Sequence, residues 1–250
     1  ELTPSQEAEV EQVLEISKQL TSHGIDIDPW AEIKLGNAAA KMTNSFPGYD
    51  LSRKHYLAAL EEFQVQKIWI GEIASYIGLT ELLLTHRRSE NDLRELETMY
   101  LWIVRISEQN NDKTTESSFL WKLGLLAEYE NNIETAEEYY QKVLNIDKER
   151  GIHIETAISL SRLGKIAEWK GELDSSERLF SEVLTIFTEY GEEVDTVAPL
   201  TNLAFISFSR GELAKAGQLF GTAQVIINSE KENKSYGSYD FRNWCKMNSG

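Results

Sequence analysis

The sequence predicts an all-α protein built from repeated pairs of antiparallel helices, and three observations lead to this fold class. A small residue after a leucine recurs every 40 residues, and an aromatic residue follows each small residue 16 positions later. Most other apolar residues recur at the three- and four-residue spacing of a helix face. The repeated steps are Leu123-Gly124, Leu163-Gly164 and Leu203-Ala204, and the aromatic residues are Tyr140, Phe180 and Phe220.

Packing explains why this pattern indicates stacked helix pairs. Two short antiparallel helices bury too little apolar surface to be stable alone, so each pair must stack on its neighbours. Gly124 and Gly164 are predicted midway along first helices, where a small side chain lets the second helix approach closely. Left-handed residues at Asn131, Gly171 and Gly211 are expected to end the first helices.

Residues 1–110 are predicted to be helical but irregular, with degenerate pairs. Thr3-Pro4 and Asp28-Pro29 both resemble helix starts. Residues 45–50 are predicted to form a loop, and a helix is expected from residue 51 to 64. In this half Leu35-Gly36 followed by Ala39 repeats the pattern of small residues, and Ala59 and Phe63 are the expected small and aromatic pair. Ala74 is expected to form a second degenerate pair of helices with Leu96 and Tyr100.

The rest of the chain is predicted in two parts. Helices are expected over residues 65–84 and 89–107, followed by a polar loop from 109 to 115. Three regular helix pairs should then fill residues 117–229. Residues 230–250 form a polar tail in which Tyr239, Phe241, Trp244 and Met247 indicate a helix that caps the open end of the array.

At these small and aromatic residues the chain resembles the tetratricopeptide repeat family. The family's motif has a small residue at position eight, Ala at position twenty and an aromatic residue at position twenty-four. This sequence departs from the motif by Leu120, Leu160 and Leu200 in place of Trp, and by Ser176 in place of Ala. Its period is also longer than the family's usual period of about 34 residues. The resemblance implies a right-handed α-α superhelix.

A second resemblance involves the last repeat. The segment from Arg210 to Ala216, with Leu219-Phe220-Gly221, is similar to the final repeat of helical sensors at the C-terminal end of large bacterial signalling regulators. This resemblance covers about one repeat. It implies that the chain is one part of a longer regulator with a nucleotide-binding switch.

Composition and charge exclude several classes of function. The net charge of -16 argues against direct binding of DNA or RNA, because such binding needs clustered Lys and Arg. No apolar run is long enough to cross a bilayer, and the single cysteine, Cys245, allows no internal disulfide. We therefore expect a cytoplasmic protein that does not bind membranes.

Catalytic and metal-binding motifs are not evident in the sequence. The four histidines have no partner at metal-ligand spacing, and Gly36 to Thr43 lacks the second glycine of a phosphate-binding loop. We expect no enzymatic activity, no metal and no cofactor. An all-helical enzyme with a site around Trp30, Tyr56 and Trp69 stays open as an alternative.

The resemblance to tetratricopeptide repeats implies a binding groove lined by the first helix of each pair. With Ser117, Ala157 and Val197 as position one, the groove positions are five, nine, twelve and thirteen. They are Trp121, Leu125, Glu128, Tyr129, Ser161, Lys165, Glu168, Trp169, Thr201, Phe205, Phe208 and Ser209. Aromatic residues beside a few charges are typical of peptide-binding grooves, although packing between repeats is an equally good explanation for any one of them.

The functional prediction is a protein-protein interaction module, a scaffold or adaptor that binds a peptide segment or a sister domain in this groove. The first alternative is the sensor domain of a larger NTPase-type signalling or transcription regulator, and the second is the helical enzyme. The sequence indicates neither the partner nor the oligomeric state.

Overall fold

The computed structural model describes Glu15 and residues 27–41, 46–86 and 90–232. These residues form ten α-helices and one short 3₁₀ helix, and no strand occurs among them. The all-α prediction is therefore confirmed. In chain order the helices are α1 (Pro29–Lys41), α2 (Phe46–Gln66), α3 (Trp69–His86), α4 (Glu90–Gln109), α5 (Lys113–Tyr129), α6 (Ile133–Arg150), α7 (His153–Trp169), α8 (Leu173–Glu189), the 3₁₀ helix (Val194–Thr196), α9 (Val197–Ser209) and α10 (Leu213–Glu232).

The chain divides into two compact units, with the boundary between Ile146 and Asp147 near the end of α6. The main core of unit 1 lies among α3, α4, α5 and α6, and includes Tyr100, Leu123 and Val143. In unit 2, helix α9 packs against both α8 and α10. The core of unit 2 includes Phe180 and Leu203. The predicted division at residue 110 concerns the regularity of the repeats and stays a prediction.

The turns between helices recur at half the period of the repeat. A residue with positive φ stands at Asn111, Asn131, Gly151, Gly171, Gly191 and Gly211. At each turn the next N–H donates to a carbonyl five residues earlier, as from Asn132 to Ala127 at 2.8 Å and from Glu172 to Ala167 at 2.8 Å. These bonds satisfy carbonyls that the helix end leaves unpaired. The predicted left-handed residues Asn131, Gly171 and Gly211 are confirmed, and the turns between pairs have the same geometry.

The small and aromatic residues of the regular repeats meet as the sequence predicts. A Cβ atom added to Gly124 would lie 2.6 Å from Cε1 of Tyr140, and one added to Gly164 would lie 3.1 Å from Cζ of Phe180. Ser176, which departs from the motif, is fully buried and donates its hydroxyl to the Gly164 carbonyl at 2.9 Å. A serine is tolerated there because this carbonyl accepts its hydrogen bond.

The third repeat differs from the first two at the crossing point and at its aromatic residue. Ala204 stands where the earlier repeats have glycine, and it is fully buried. The following aromatic residue, Phe220, is 37% exposed, whereas Tyr140 and Phe180 are 0% and 1% exposed. Its ring instead meets Phe205 edge to face, with 5.3 Å between the ring centroids.

In the first half of the chain, some predicted partners are wrong. The ring against Gly36 belongs to Tyr56, and Phe63 instead lies against Gly71 of the next helix. Tyr56 also lies against Gly78, so one ring occupies the space beside two glycines. The aromatic residue that meets Gly36 is therefore Tyr56 and not the predicted Phe63, although Ala59 and Phe63 are both fully buried.

Ala74 also has a different role from the one predicted. It is only half-buried, and its neighbour Ile73 joins Leu96 and Tyr100 in the core cluster. The predicted Leu96 and Tyr100 are both buried as expected.

Helix bounds differ from the predictions mostly at their ends. The predicted loop over residues 45–50 is wrong from Phe46 onwards, because α2 begins there with Pro47 in its first turn, where the missing N–H costs nothing. The predicted polar loop over residues 109–115 shortens to 110–112, since Asp112 caps α5 by accepting from Thr115 N at 3.2 Å. The predicted N-terminal helix after Pro4 and the capping helix around Trp244 lie outside the described residues.

Candidate functional site

The first helices α5, α7 and α9 bury the same positions and leave the same positions open. Positions three, four, seven, eight, ten and eleven are buried in all three helices. Positions five, nine, twelve and thirteen are exposed or half-buried, and helical geometry places them on one side of each helix. We call this side of α7 and α9 the open face of unit 2: Ser161, Lys165, Glu168 and Trp169 on α7, and Thr201, Phe205, Phe208 and Ser209 on α9.

Three aromatic side chains dominate the open face. Trp169 is 52% exposed, Phe205 is 51% exposed and Phe208 is 59% exposed. Packing between repeats therefore leaves about half of each ring in solvent. Phe205 is held in place by its edge-to-face contact with Phe220 of α10. Large aromatic side chains that are half exposed at equivalent helix faces are typical of a binding surface.

The polar groups of the open face are largely satisfied within their own helices. Ser161 donates to the Ala157 carbonyl at 2.8 Å, and Thr201 donates to the Val197 carbonyl at 2.7 Å. Lys165 Nζ lies 2.9 Å from Glu168 Oε2, so this lysine and glutamate form an ion pair one turn apart. No open-face position on α9 carries a charge, and the open face as a whole is nearly neutral despite the net charge of -16.

One apolar member of this face was not predicted from the sequence. Ile158, at position two of α7, lies one turn before Ser161 on the same side and is 39% exposed. The spacing of position two from positions five and nine is the signal that could have identified it. With Ile158, the open face of α7 has an apolar side chain near each end.

In unit 1, the predicted groove residues lie on α5 and differ in exposure. Tyr129 is 65% exposed and Leu125 is 37% exposed, while Glu128 is half-buried. Trp121 packs against the core and lies 5.0 Å from the Tyr140 ring, centroid to centroid. Trp121 is thus chiefly a packing residue, whereas Leu125 and Tyr129 present apolar surface to solvent.

The three aromatic residues of the alternative enzyme site have packing roles. Trp30 meets Phe63 edge to face at 4.8 Å, and Trp69 packs against the main core of unit 1. Tyr56 is 2% exposed and donates its hydroxyl to Asn37 Oδ1 at 2.6 Å. Burial, with a smaller contribution from the Glu81 carboxylate, raises the pKa of Tyr56 to about 12.

Within the described ranges, no group of three or more His, Cys, Asp or Glu side chains is arranged to hold a metal ion. None of the described helices combines the length and the apolar character needed to cross a membrane.

The similarity of this chain to known proteins is evident in structure. No protein-family model and no curated protein sequence matches the chain. Among solved structures, the chain is similar to BtubC (BKLC) from P. vanneervenii, with a TM-score of 0.64 and 18% identity over 94% of this chain and 93% of that one. A kinesin light chain-like protein from P. anserina, with nearly identical TPR-like repeats, gives a TM-score of 0.61 at 13% identity over 83% of this chain and 100% of that one.

The fold is that of a tetratricopeptide-like repeat protein. A third similar structure is a signal transduction ATPase with numerous domains (STAND) from Pyrococcus horikoshii, which has a tetratricopeptide repeat sensor. The TM-score is 0.52 at 15% identity, over 87% of this chain and 40% of that one. The tetratricopeptide-like fold confirms the resemblance seen in the sequence and shows that the long repeats of this chain, with Leu in place of the motif's Trp, adopt it.

Proposed function

We propose that this tetratricopeptide-like chain is a protein-interaction module, and that the open face of unit 2 receives an apolar segment of another polypeptide. The observation that carries the proposal is the exposure of Trp169, Phe205 and Phe208 on equivalent sides of α7 and α9. The fold accounts for the buried positions of these helices, but it does not require aromatic residues at the open ones.

Burial of these rings would supply most of the binding free energy. A half-exposed aromatic side chain that becomes buried in an interface acts as an anchor, and its truncation typically costs about 2 kcal/mol or more. Phe205 is suited to this role because its contact with Phe220 already restricts it, so less conformational entropy is lost on binding. No chemical step is required of the chain.

The charges of the open face define the kind of partner. Its lysine and glutamate, Lys165 and Glu168, neutralise each other, and α9 contributes none. A segment with aromatic or aliphatic side chains at its centre therefore matches the open face better than a strongly basic one. We expect its affinity to change little with salt, because little of it comes from unpaired charges.

Selection from a phage-displayed random peptide library tests this proposal. We expect the full chain to enrich peptides with two or more aromatic or aliphatic side chains. The variant Trp169→Ala with Phe205→Ala should bind the enriched peptides at least ~30-fold more weakly, which corresponds to about 2 kcal/mol.

The matched control is Tyr190→Ala with Val194→Ala. These two apolar side chains are 48% and 37% exposed in the same unit, but they lie outside the open face. The control should bind like the unaltered chain, and circular dichroism should show that both double variants keep their helices. Equal loss of affinity in both double variants, or in neither, would refute the assignment to the open face.

A second candidate function is a sensor in a larger signalling regulator. It is supported by the similarity to a STAND protein of which the matched region covers 40%, and by the resemblance of the segment from Arg210 to Ala216 to the last repeat of such sensors. Sequencing of the gene upstream of Glu1 tests it. A nucleotide-binding domain encoded there in frame would support a sensor role, and an open reading frame that begins within a few codons of Glu1 would contradict it.

A further inference from the structure

Helices α4, α6 and α8 can be compared position by position, because the same kind of turn follows each of them. The turn residues with positive φ are Asn111, Gly151 and Gly191, and they recur every 40 residues. Positions 101 and 102 of α4 are therefore equivalent to 141 and 142 of α6 and to 181 and 182 of α8. All six positions are exposed, so the fold leaves them in solvent.

At these exposed positions α4 differs in chemistry from the other two helices. It has Leu101 and Trp102, which are 44% and 43% exposed. The equivalent pairs are polar, Gln141-Lys142 on α6 and Ser181-Glu182 on α8. The repeat fold therefore does not require a leucine and a tryptophan here.

The charge on this side of α4 is also reversed. Arg94 lies seven residues before Leu101 and Arg105 four residues after it, so the three side chains share one side of the helix. Where α4 has Arg94, α6 has Glu134 and α8 has Asp174. We give the name basic face of α4 to a set of exposed residues, namely Arg94, Thr98, Leu101, Trp102 and Arg105.

The two guanidinium groups of the basic face are not neutralised by any carboxylate among the described residues. The Arg105 guanidinium lies over the Trp102 ring, with its carbon 5.2 Å from the ring centroid. The nearby Glu95 of the same helix pairs instead with Arg53 of α2, at 2.9 Å. The contact between Arg105 and Trp102 restricts both side chains and leaves the guanidinium N–H groups able to donate to a further acceptor.

We propose that the basic face of α4 binds an acidic segment of another polypeptide, with a large apolar side chain between its carboxylates. The carboxylates pair with Arg94 and Arg105, and the apolar side chain covers Leu101 and Trp102. Trp and Arg are the residue types that contribute most often to the affinity of protein interfaces. This inference does not depend on the proposed function of the open face, which belongs to unit 2.

The spacing of the two arginines defines the segment further. Arg94 and Arg105 are about 16 Å apart along the helix axis. The two carboxylates of the segment are therefore expected roughly five residues apart if the segment is extended, or about eleven residues apart if it is helical.

Charge favours a short acidic segment over a second copy of the chain. A second copy carries the same net charge of -16, which opposes association. A short segment with a few carboxylates meets less of this repulsion, because charges farther away than about 8 Å are largely screened at physiological salt. Close to the basic face, the two arginines dominate the electrostatic interaction.

Selection from a phage-displayed random peptide library on the full chain tests this proposal. The chain carries Trp169→Ala and Phe205→Ala, so that peptides specific for the open face are not enriched. The library is first depleted on the same chain with the added pair Leu101→Gln and Trp102→Lys. These two substitutions copy the residues that α6 has at the equivalent exposed positions, so we expect the variant to fold.

We expect the enriched peptides to contain two or more Asp or Glu residues and a large apolar side chain. Leu101→Gln with Trp102→Lys, and separately Arg94→Glu with Arg105→Asn, should each weaken their binding at least ~10-fold. The loss of both arginines should also make the affinity less dependent on salt. The matched control is Val65→Gln with Ile70→Gln, which changes apolar side chains that are 73% and 54% exposed in the same unit but outside α4. This control should bind like the unaltered chain.

Three results of the selection would overturn the proposal: no enrichment, enriched peptides without an excess of carboxylates, or equal binding by all variants. Binding of the chain to vesicles of phosphatidylcholine and phosphatidylserine that is lost with Leu101→Gln and Trp102→Lys would also overturn it and assign the basic face to a membrane surface. A concentration-dependent dimer that is lost with the same pair would assign the basic face to a second copy. Circular dichroism confirms that each variant is folded.

Discussion

The contact between Gly124 and Tyr140 makes a sharp prediction about substitution at the repeat's crossing points. A Cβ at position 124 would lie 2.6 Å from Cε1 and 2.8 Å from Cζ of a ring that is 0% exposed. The ring must move by about 1 Å in a packed core, and such overpacking costs about 1–3 kcal/mol. Alanine regains up to about 1 kcal/mol through its higher helix propensity. We therefore expect Gly124→Ala to lower the free energy of unfolding by about 1–2 kcal/mol.

Gly164→Ala is the matched variant in the next repeat. The nearest atom of Phe180 would be 3.1 Å from the new Cβ, so a shift of a few tenths of an ångström is enough. The strain and the gain in helix propensity nearly cancel, and we expect a change within about 0.5 kcal/mol.

Urea denaturation followed by circular dichroism in the far ultraviolet measures both variants. The loss in Gly124→Ala should affect the transition that includes unit 1, and Tyr140→Leu should recover part of it in the double variant by removing the ring. If Gly164→Ala destabilised the protein as much as Gly124→Ala, or if Gly124→Ala were stabilising, the packing argument would be wrong.

Two further predictions concern buried hydroxyl groups. Ser159 is 1% exposed and its hydroxyl has no hydrogen-bond partner among the described residues, so Ser159→Ala should raise the free energy of unfolding by about 1–2 kcal/mol. The control Ser161→Ala should change the free energy of unfolding by less than about 0.5 kcal/mol. Equal effects of the two substitutions in urea denaturation would contradict this prediction. The phenol of Tyr56 stays neutral in the folded state up to its raised pKa of about 12, whereas in the unfolded chain it ionises near pH 10. The free energy of unfolding should therefore fall by up to about 2–3 kcal/mol as the pH rises from 10 to 12. Tyr56→Phe should make the slope of the free energy of unfolding against pH shallower in this range. An unchanged slope would contradict a pKa of Tyr56 that is raised by burial.

Much of the fold could be predicted because the packing requirement acts locally in the sequence. A glycine, an aromatic residue 16 positions later and a left-handed turn between them define one helix pair, and this pattern recurs at Gly124, Gly164 and, with alanine for glycine, Ala204. The pattern failed in the first half because the ring against Gly36 belongs to Tyr56, which follows this glycine by 20 positions and not by 16. A fixed spacing cannot identify the aromatic residue of a helix pair whose length differs from the others.

The candidate site was harder to predict than the fold. Periodicity assigns the open positions of a first helix, but it does not determine how much of a side chain its neighbours cover. Trp121 and Trp169 are both tryptophans at predicted groove positions, yet Trp121 packs against Tyr140 while Trp169 is 52% exposed. The difference arises from contacts with the second helices, and the spacing of residues along one helix does not predict these contacts.

The proposed binding of a polypeptide to the open face is tested most directly by site-specific photo-crosslinking. A benzophenone amino acid is placed at position 208, in the open face, and separately at position 190, outside it, and each variant is irradiated with a labelled peptide selected on the unaltered chain. We predict a crosslinked product from position 208 and little or none from position 190. Crosslinking from position 190 alone, or equal yields from both positions, would contradict binding at the open face.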